Sequence, residues 1–177
     1  MTGQLLDRAR IEQVLEAITE REGEWLLVGG AFVALWLEPR RTTEDIDIVG
    51  LRGTPEERYA LMDVAEQLGL PVEAVNSAAD FFVHRIDGWR EQITILRKGA
   101  RGTIYRPTVT LFVLLKMRRL SERDLDDCEA ALLHARGEGE TVDVARLLAA
   151  LAALPPTSDA DLERRRGVLR AALGRVS

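Results

Sequence analysis

Cysteine is nearly absent from this 177-residue chain: Cys128 stands alone. A single thiol makes no internal disulfide and no thiolate metal cage, which excludes a disulfide scaffold and a cysteine-held zinc site. Its setting, "DLDDCEAALL", suits a small buried side chain. Lysine is almost as scarce. Of 24 basic residues, only Lys98 and Lys116 are lysines. Long apolar runs are missing too. None approaches the roughly 20 residues of a membrane helix, so no membrane partner is expected. The opening "MTGQLLDRARIEQ" is polar and does not read as a signal peptide; the expected location is cytoplasmic. An excess of positive charge is also lacking. With 29 acidic residues against 24 basic, the net charge is -5. That excludes a general nucleic-acid coating role, which needs a broad basic surface, and leaves room only for a local patch.

What is present is the composition of a folded domain: 46% hydrophobic and 30% charged. The length suits one moderate domain, or one domain with a helical appendage. Apolar residues at Leu5, Ile11, Leu15 and Ile18 keep helical spacing, so the first helix is expected there. After Gly23, "EWLLV" reads as a short buried strand. Gly29-Gly30 then opens "AFVALWL", apolar all round and therefore a buried helix ending near Pro39. "DIDIV" alternates carboxylate and aliphatic with the period of a strand. "TPEERYALMDVAEQLGL" starts a helix by rule: Thr54 as N-cap, Pro55 in the first turn, Glu57 three residues after the cap. "VEAV", "DFFVHRI" and "EQITILRKG" read as strands, the last two joined by "DGW" as a hairpin. "TIY" is a short strand before Pro107. From Thr108 onward four helical segments follow, the third capped by Thr141 and the fourth by Ser158 or Asp159. The expected architecture is an α+β portion over residues 1–107, with a small mixed sheet of four or five strands flanked by helices, and an all-helical portion over 108–177.

One feature of "LLVGGAFVALWLEPRRTTEDIDIV" resists a purely structural reading. Asp45 and Asp47 alternate in a strand, so their side chains point the same way while Ile46 and Ile48 face the opposite side. Two like charges that close raise one pKa unless a cation sits between them. Mg²⁺ binds through one or two carboxylates plus water and phosphate oxygens. The other reading is an exposed edge strand with solvated aspartates. Gly29 and Gly30 follow a strand and open a helix, where glycine lets a ligand approach the backbone and the first-turn amides favour a phosphate. Most such pairs are only tight turns. Together, the two elements place a triphosphate beside a metal.

The combination "VGG", then Arg41-x-Thr43-x-Asp45-Ile46-Asp47, resembles the signature of the DNA polymerase β-like nucleotidyltransferase superfamily. It is most similar to the small bacterial members, including the nucleotidyltransferases of abortive-infection and toxin–antitoxin systems. "LLKMRRLSERDLDD" also resembles those proteins, with a lysine on a helix and a following Arg-Asp-x-x-Asp element. The resemblance covers residues 26–49 well and 107–130 in part. It implies a minimal nucleotidyltransferase fold and transfer of a nucleoside monophosphate from a nucleoside triphosphate to a hydroxyl, on an RNA 3′ end or a protein side chain. It implies Mg²⁺ or Mn²⁺ held by Asp45, Asp47 and a third carboxylate on a later strand, and a cognate toxin or antitoxin partner. Here the spacer from Ala31 to Glu44 runs slightly longer than the family pattern. No clean acidic strand position lies in residues 72–105. Glu91 in "GWREQITIL" is assigned as third carboxylate and base, on a strand running beside "DIDIV", ahead of Asp80 and Asp87. Failing it, Asp124 or Asp127 supplies the base, or the protein is an inactive nucleotide- or partner-binding module.

The nucleotide-binding set expected is Gly29, Gly30, Arg41, Thr43, Lys116, Asp124 and Asp127. Lys116 lies on an apolar helix; it reads as a phosphate ligand, with snorkelling from the helix end as the alternative. Asp124 and Asp127 read as nucleotide or metal contacts, against the alternative of a first-turn charge pattern. His84, His134 and the three tryptophans read as structural. The basic run "LERRRGVLRAALGR" reads as a solvated helix face, with an RNA-binding patch as the alternative.

Overall fold

The computed structural model describes residues 5–176. The chain divides into two compact units, one ending at Pro107 and the other beginning at Thr108. The first is mixed α and β. Its helix α1 (Arg8–Thr19) is capped by Asp7, whose side chain accepts from the Arg10 amide, and it buries Ile11, Val14, Leu15 and Ile18 on one face. Strand β1 (Gly23–Leu27) follows, then α2 (Gly29–Trp36) and β2 (Ile46–Gly50). α2 carries no charge and buries Ala31, Phe32, Val33 and Ala34. α3 (Pro55–Gln67) begins where the sequence says it should. Thr54 accepts from the Glu57 amide at 3.3 Å, and the Glu57 carboxylate accepts in return from the Thr54 amide. This reciprocal cap satisfies donors that the helix itself leaves unpaired.

The rest of the unit is β3 (Val75–Asn76), a short helix α4 (Asp80–Val83), β4 (Ile93–Lys98) and β5 (Gly102–Pro107). The five strands form one mixed sheet in the order β3-β2-β1-β5-β4. β1 pairs antiparallel with β2, Leu27 opposite Ile48, and parallel with β5, Leu26 opposite Tyr105. β2 pairs parallel with β3, Asp47 opposite Asn76. The central strands carry the largest fully buried side chains of this unit, among them Trp25, Leu26, Leu27, Ile46, Ile48 and Ile104, with Phe32 from α2. Each such side chain contributes about 1.5–3 kcal/mol through burial.

Three expectations are corrected in this unit. "DFFVHRI" is not a strand: Asp80–Val83 is one helical turn, with Phe81 and Phe82 exposed. The "DGW" hairpin does not form. Gly88 takes the left-handed conformation at φ 67°, Trp89–Gln92 winds as a 3-10 turn, and β4 pairs instead with β5. A run of contiguous aromatics has neither the period of a strand nor that of a helix, so its β propensity misleads. In "VEAV", Val72–Ala74 is a 3-10 turn and only the last residue enters β3.

The second unit, among the described residues, is all helical: α5 (Val109–Lys116), α6 (Glu122–Glu138), α7 (Val144–Ala152) and α8 (Ala160–Gly174). Thr108 and Ser121 cap α5 and α6. α7 is capped by Asp143 rather than by Thr141, and α8 by Asp159. The Asp143 amide donates to the Thr110 hydroxyl at 3.0 Å, which joins the start of α7 to α5. Leu111, Phe112, Leu132, Leu147, Leu169 and Leu173 form the buried interior.

Candidate functional site

In the first unit, the turn between β1 and α2 meets the start of β2. The Val28 amide donates to the Asp47 carbonyl at 2.9 Å. Gly29 sits at φ 67°, a left-handed conformation that favours glycine, and a Cβ there would run into the Asp47 carboxylate. The Asp47 side chain therefore lies directly against the first residue of α2. That is a favourable place for an anion, because the amides of a helix start carry partial positive charge. Gly30 faces a second neighbour: a Cβ on it would lie 2.7 Å from the Thr43 hydroxyl oxygen.

Asp47 is the second residue of β2 and is half-buried; Ile46 and Ile48, on either side of it, are fully buried. Asp45 immediately precedes the strand and is also half-buried. Thr43 is buried and held by its backbone to Leu6, with the Leu6 amide donating to the Thr43 carbonyl at 2.7 Å and the Thr43 amide to the Leu6 carbonyl at 3.0 Å. Arg41, in the loop before it, is largely buried, with its guanidinium 3.6 Å from the Glu38 carboxylate. Gly29, Gly30, Thr43 and Asp47 thus come together in one place.

Glu91 is placed differently from the expectation. It is exposed in the 3-10 turn ahead of β4. The neighbours of β2 are β1 and β3, while β4 occupies the opposite edge of the sheet. The strand carrying Glu91 therefore does not run beside "DIDIV". Among the described residues, no three His, Cys, Asp or Glu side chains gather as a metal-holding group. The expected third carboxylate beside Asp45 and Asp47 does not appear there. Asp80 is the first residue of α4, and its carboxylate lies 3.0 Å from His84 Nδ1.

In the second unit, Lys116, Asp124 and Asp127 do come together, but with one another. Lys116 Nζ donates to Asp124 at 2.8 Å and to Asp127 at 3.2 Å. Asp124 and Asp127 are almost wholly buried. Arg119 holds Asp124 with two donors, at 2.8 and 2.9 Å, and the Ser121 hydroxyl adds a third contact at 2.8 Å. Burial alone would push the Asp124 carboxyl up. The hydrogen bonds from Arg119, Lys116 and Ser121, with the Lys116 charge, outweigh it and hold this carboxyl well below the usual range. Nearby Cys128 is pushed up strongly by burial, which leaves an inert thiol. The cluster is a neutralised charge network at the α5–α6 turn. Arg119 and Ser121 are its members that the sequence reading missed. Ser121-x-x-Asp124 is itself a capping-box spacing, a signal open to reading; Arg119 carries none.

The arginine run of α8 is likewise engaged within this unit. Arg165 Nε donates to the Leu120 carbonyl at 2.6 Å, Arg164 and Arg165 pair with Glu122, and Arg175 pairs with Glu129 at 3.3 Å. Arg166 is buried and donates to the Pro155 carbonyl at 2.9 Å. These contacts fasten α8 to α6 and to its own preceding loop.

No helix of the described residues is long and apolar enough to cross a membrane. Comparison of the chain with protein-family models, curated proteins and solved structures finds no match.

Proposed function

We propose that the first unit binds a nucleoside triphosphate with a divalent cation and transfers its nucleoside monophosphate to a hydroxyl on an RNA 3′ end or a protein side chain. The observation that carries this reading is the contact of Asp47 with Gly29 at the start of α2. It sets a carboxylate against the first residue of a helix, and a metal-bound phosphate uses a carboxylate and a helix start together. Asp45 adds the second carboxylate. Two carboxylates suffice for Mg²⁺ or Mn²⁺ only when water and phosphate oxygens complete the shell, so this donor set fits a cation that arrives with the nucleotide. When bound, such a cation supplies charge neutralisation for the leaving pyrophosphate. The chain's own residues do the rest. The α2 amides orient the triphosphate, Gly29 and Gly30 let Asp47 and Thr43 close on the start of α2, and Arg41 contributes positive charge from the adjoining loop.

A second reading is favoured by a specific observation, the lack of a three-residue acidic or His/Cys group among the described residues. In it the site binds nucleotide and the acceptor hydroxyl finds no base, so the protein senses nucleotide or binds a toxin or antitoxin partner. One experiment separates the two. The protein is incubated with each α-labelled triphosphate, Mg²⁺ and a cell extract, and the RNA and protein fractions are examined for label. Label in one fraction, lost in the Asp45→Asn/Asp47→Asn variant, supports transfer. Triphosphate binding without label in any fraction supports the binding module. Absence of triphosphate binding overturns both.

A further inference from the structure

We infer that the segment at Leu6 is a strap that positions Thr43, and with it the loop of residues 37–45, at the mouth of the Gly29-Gly30 turn. The observations form one chain of contacts. Leu6 and Thr43 exchange both backbone hydrogen bonds, at 2.7 and 3.0 Å, in an isolated antiparallel bridge outside the main sheet. The Leu6 side chain is fully buried, so the segment is anchored as well as bonded. Thr43, also buried, presses its hydroxyl against the backbone of Gly30. Two residues later the chain reaches Asp45, and four residues later Asp47, which presses on Gly29.

The Leu6 bridge fixes the far end of an irregular loop. From Leu37 to Asp45 it contains no helix and no strand of the sheet, and it carries the exposed Pro39 and Arg40. Turn bonds at its start, Leu37 to Val33 and Arg41 to Glu38, do not reach Thr43. The Leu6 bridge ties Thr43, at the end of the loop, to the segment just ahead of α1. Thr43 is therefore a positioning residue: it fixes the approach to the α2 amides and the exit into the Asp45–Asp47 stretch. The consequence for nucleotide affinity rests on the reading given under the proposed function; the fixing of the loop does not.

Leu6→Pro removes the amide that donates to Thr43 and keeps an apolar side chain. Trypsin reads the loop directly, through cleavage after Arg40 and Arg41 followed by mass spectrometry, with the exposed Arg170 as internal control. The loss of one or two such bonds predicts cleavage in the loop about tenfold faster, and triphosphate affinity about tenfold weaker at a temperature where the variant is fully folded. Leu6→Ile, which keeps amide and bulk, stays within about twofold of the parent in both. Loop cleavage unchanged in folded Leu6→Pro overturns the strap. Loop release with triphosphate affinity unchanged overturns its role in the site. If the parent binds no triphosphate yet the variant's loop is released, the strap stands and the nucleotide reading falls. Hydrogen exchange on the parent chain needs no variant: the Leu6 and Thr43 amides must be protected together, and Thr43 exchanging as fast as Glu44 overturns the inference.

Discussion

Both units of this protein set a pair of aspartates close together in sequence, Asp45 with Asp47 and Asp124 with Asp127, yet they treat them in opposite ways. In the helical unit, Asp124 and Asp127 are almost wholly buried, and Lys116 lies within 3.2 Å of each. Arg119 and Ser121 complete the set around Asp124. In the α+β unit, Asp45 and Asp47 are half-buried, at the start of a strand, with Asp47 against the first residue of a helix. A carboxylate that meets its cation inside the fold is part of the architecture. A carboxylate partly open to solvent beside a helix start can still take a ligand's cation. Burial and the source of the compensating charge, more than the acidic pattern itself, distinguish the two.

The contrast can be broken most forcefully at Lys116. Lys116→Met removes the cation shared by two buried carboxylates, and breaking such a pair costs about 3 kcal/mol or more. Denaturant unfolding should show the loss. Cys128, buried nearby, should become labelled by a thiol reagent faster as the helical unit opens more often. A variant as stable as the parent would mean that the network contributes little.

Acid comes next. The Asp124 carboxyl is held below its ordinary value in the fold. A depressed folded pKa stabilises the protein above the unfolded value, near pH 4, and that contribution is lost as pH falls through and below it. Parent protein should therefore lose stability below about pH 4 more steeply than Asp124→Asn. Equal slopes would contradict the hydrogen-bonded geometry.

Gly29→Ala probes the other pair. It places a side chain at positive φ and against Asp47, a strain of about 1 kcal/mol before any rearrangement. The melting temperature should fall modestly and triphosphate binding much more. A smaller effect still is expected from Arg164→Gln with Arg175→Gln. Their carboxylate partners are exposed or half-buried, and such pairs are worth about 0.5 kcal/mol each. A large loss would show that α8 depends on charge rather than on Leu169 and Leu173.

Much of the fold was legible. The Thr54-Pro55-x-Glu57 start of α3, the alternation of β2 and the all-apolar α2 each rest on local physics that tertiary structure did not override. What failed did so where the local signal is intrinsically ambiguous. Phe81 and Phe82 have strand propensity, yet they sit exposed on a single helical turn, and no sequence period announces that. Strand partners are long-range, so β4 joining β5 at the far edge of the sheet could not be read from "GWREQITIL". The site divides along the same line. Gly29-Gly30 and Asp45-x-Asp47 were visible because glycines and carboxylates in a strand–turn–helix frame carry a local cost. That Lys116 faces Asp124 and Asp127 depends on the turn at Leu120, which holds a φ of 40°, and on the packing of α5 against α6. The bridge from Leu6 to Thr43 carries no sequence signal at all.

Asp45 and Asp47 are proposed to hold a cation together with a triphosphate. Calorimetric titration of triphosphate into the protein, with and without Mg²⁺, tests it directly when repeated on Asp45→Asn/Asp47→Asn. Mg²⁺ should bind weakly alone and strengthen triphosphate binding by the parent, and the variant, measured at a temperature where it is fully folded, should lose this synergy. Equal Mg²⁺-dependent binding by parent and variant would contradict it.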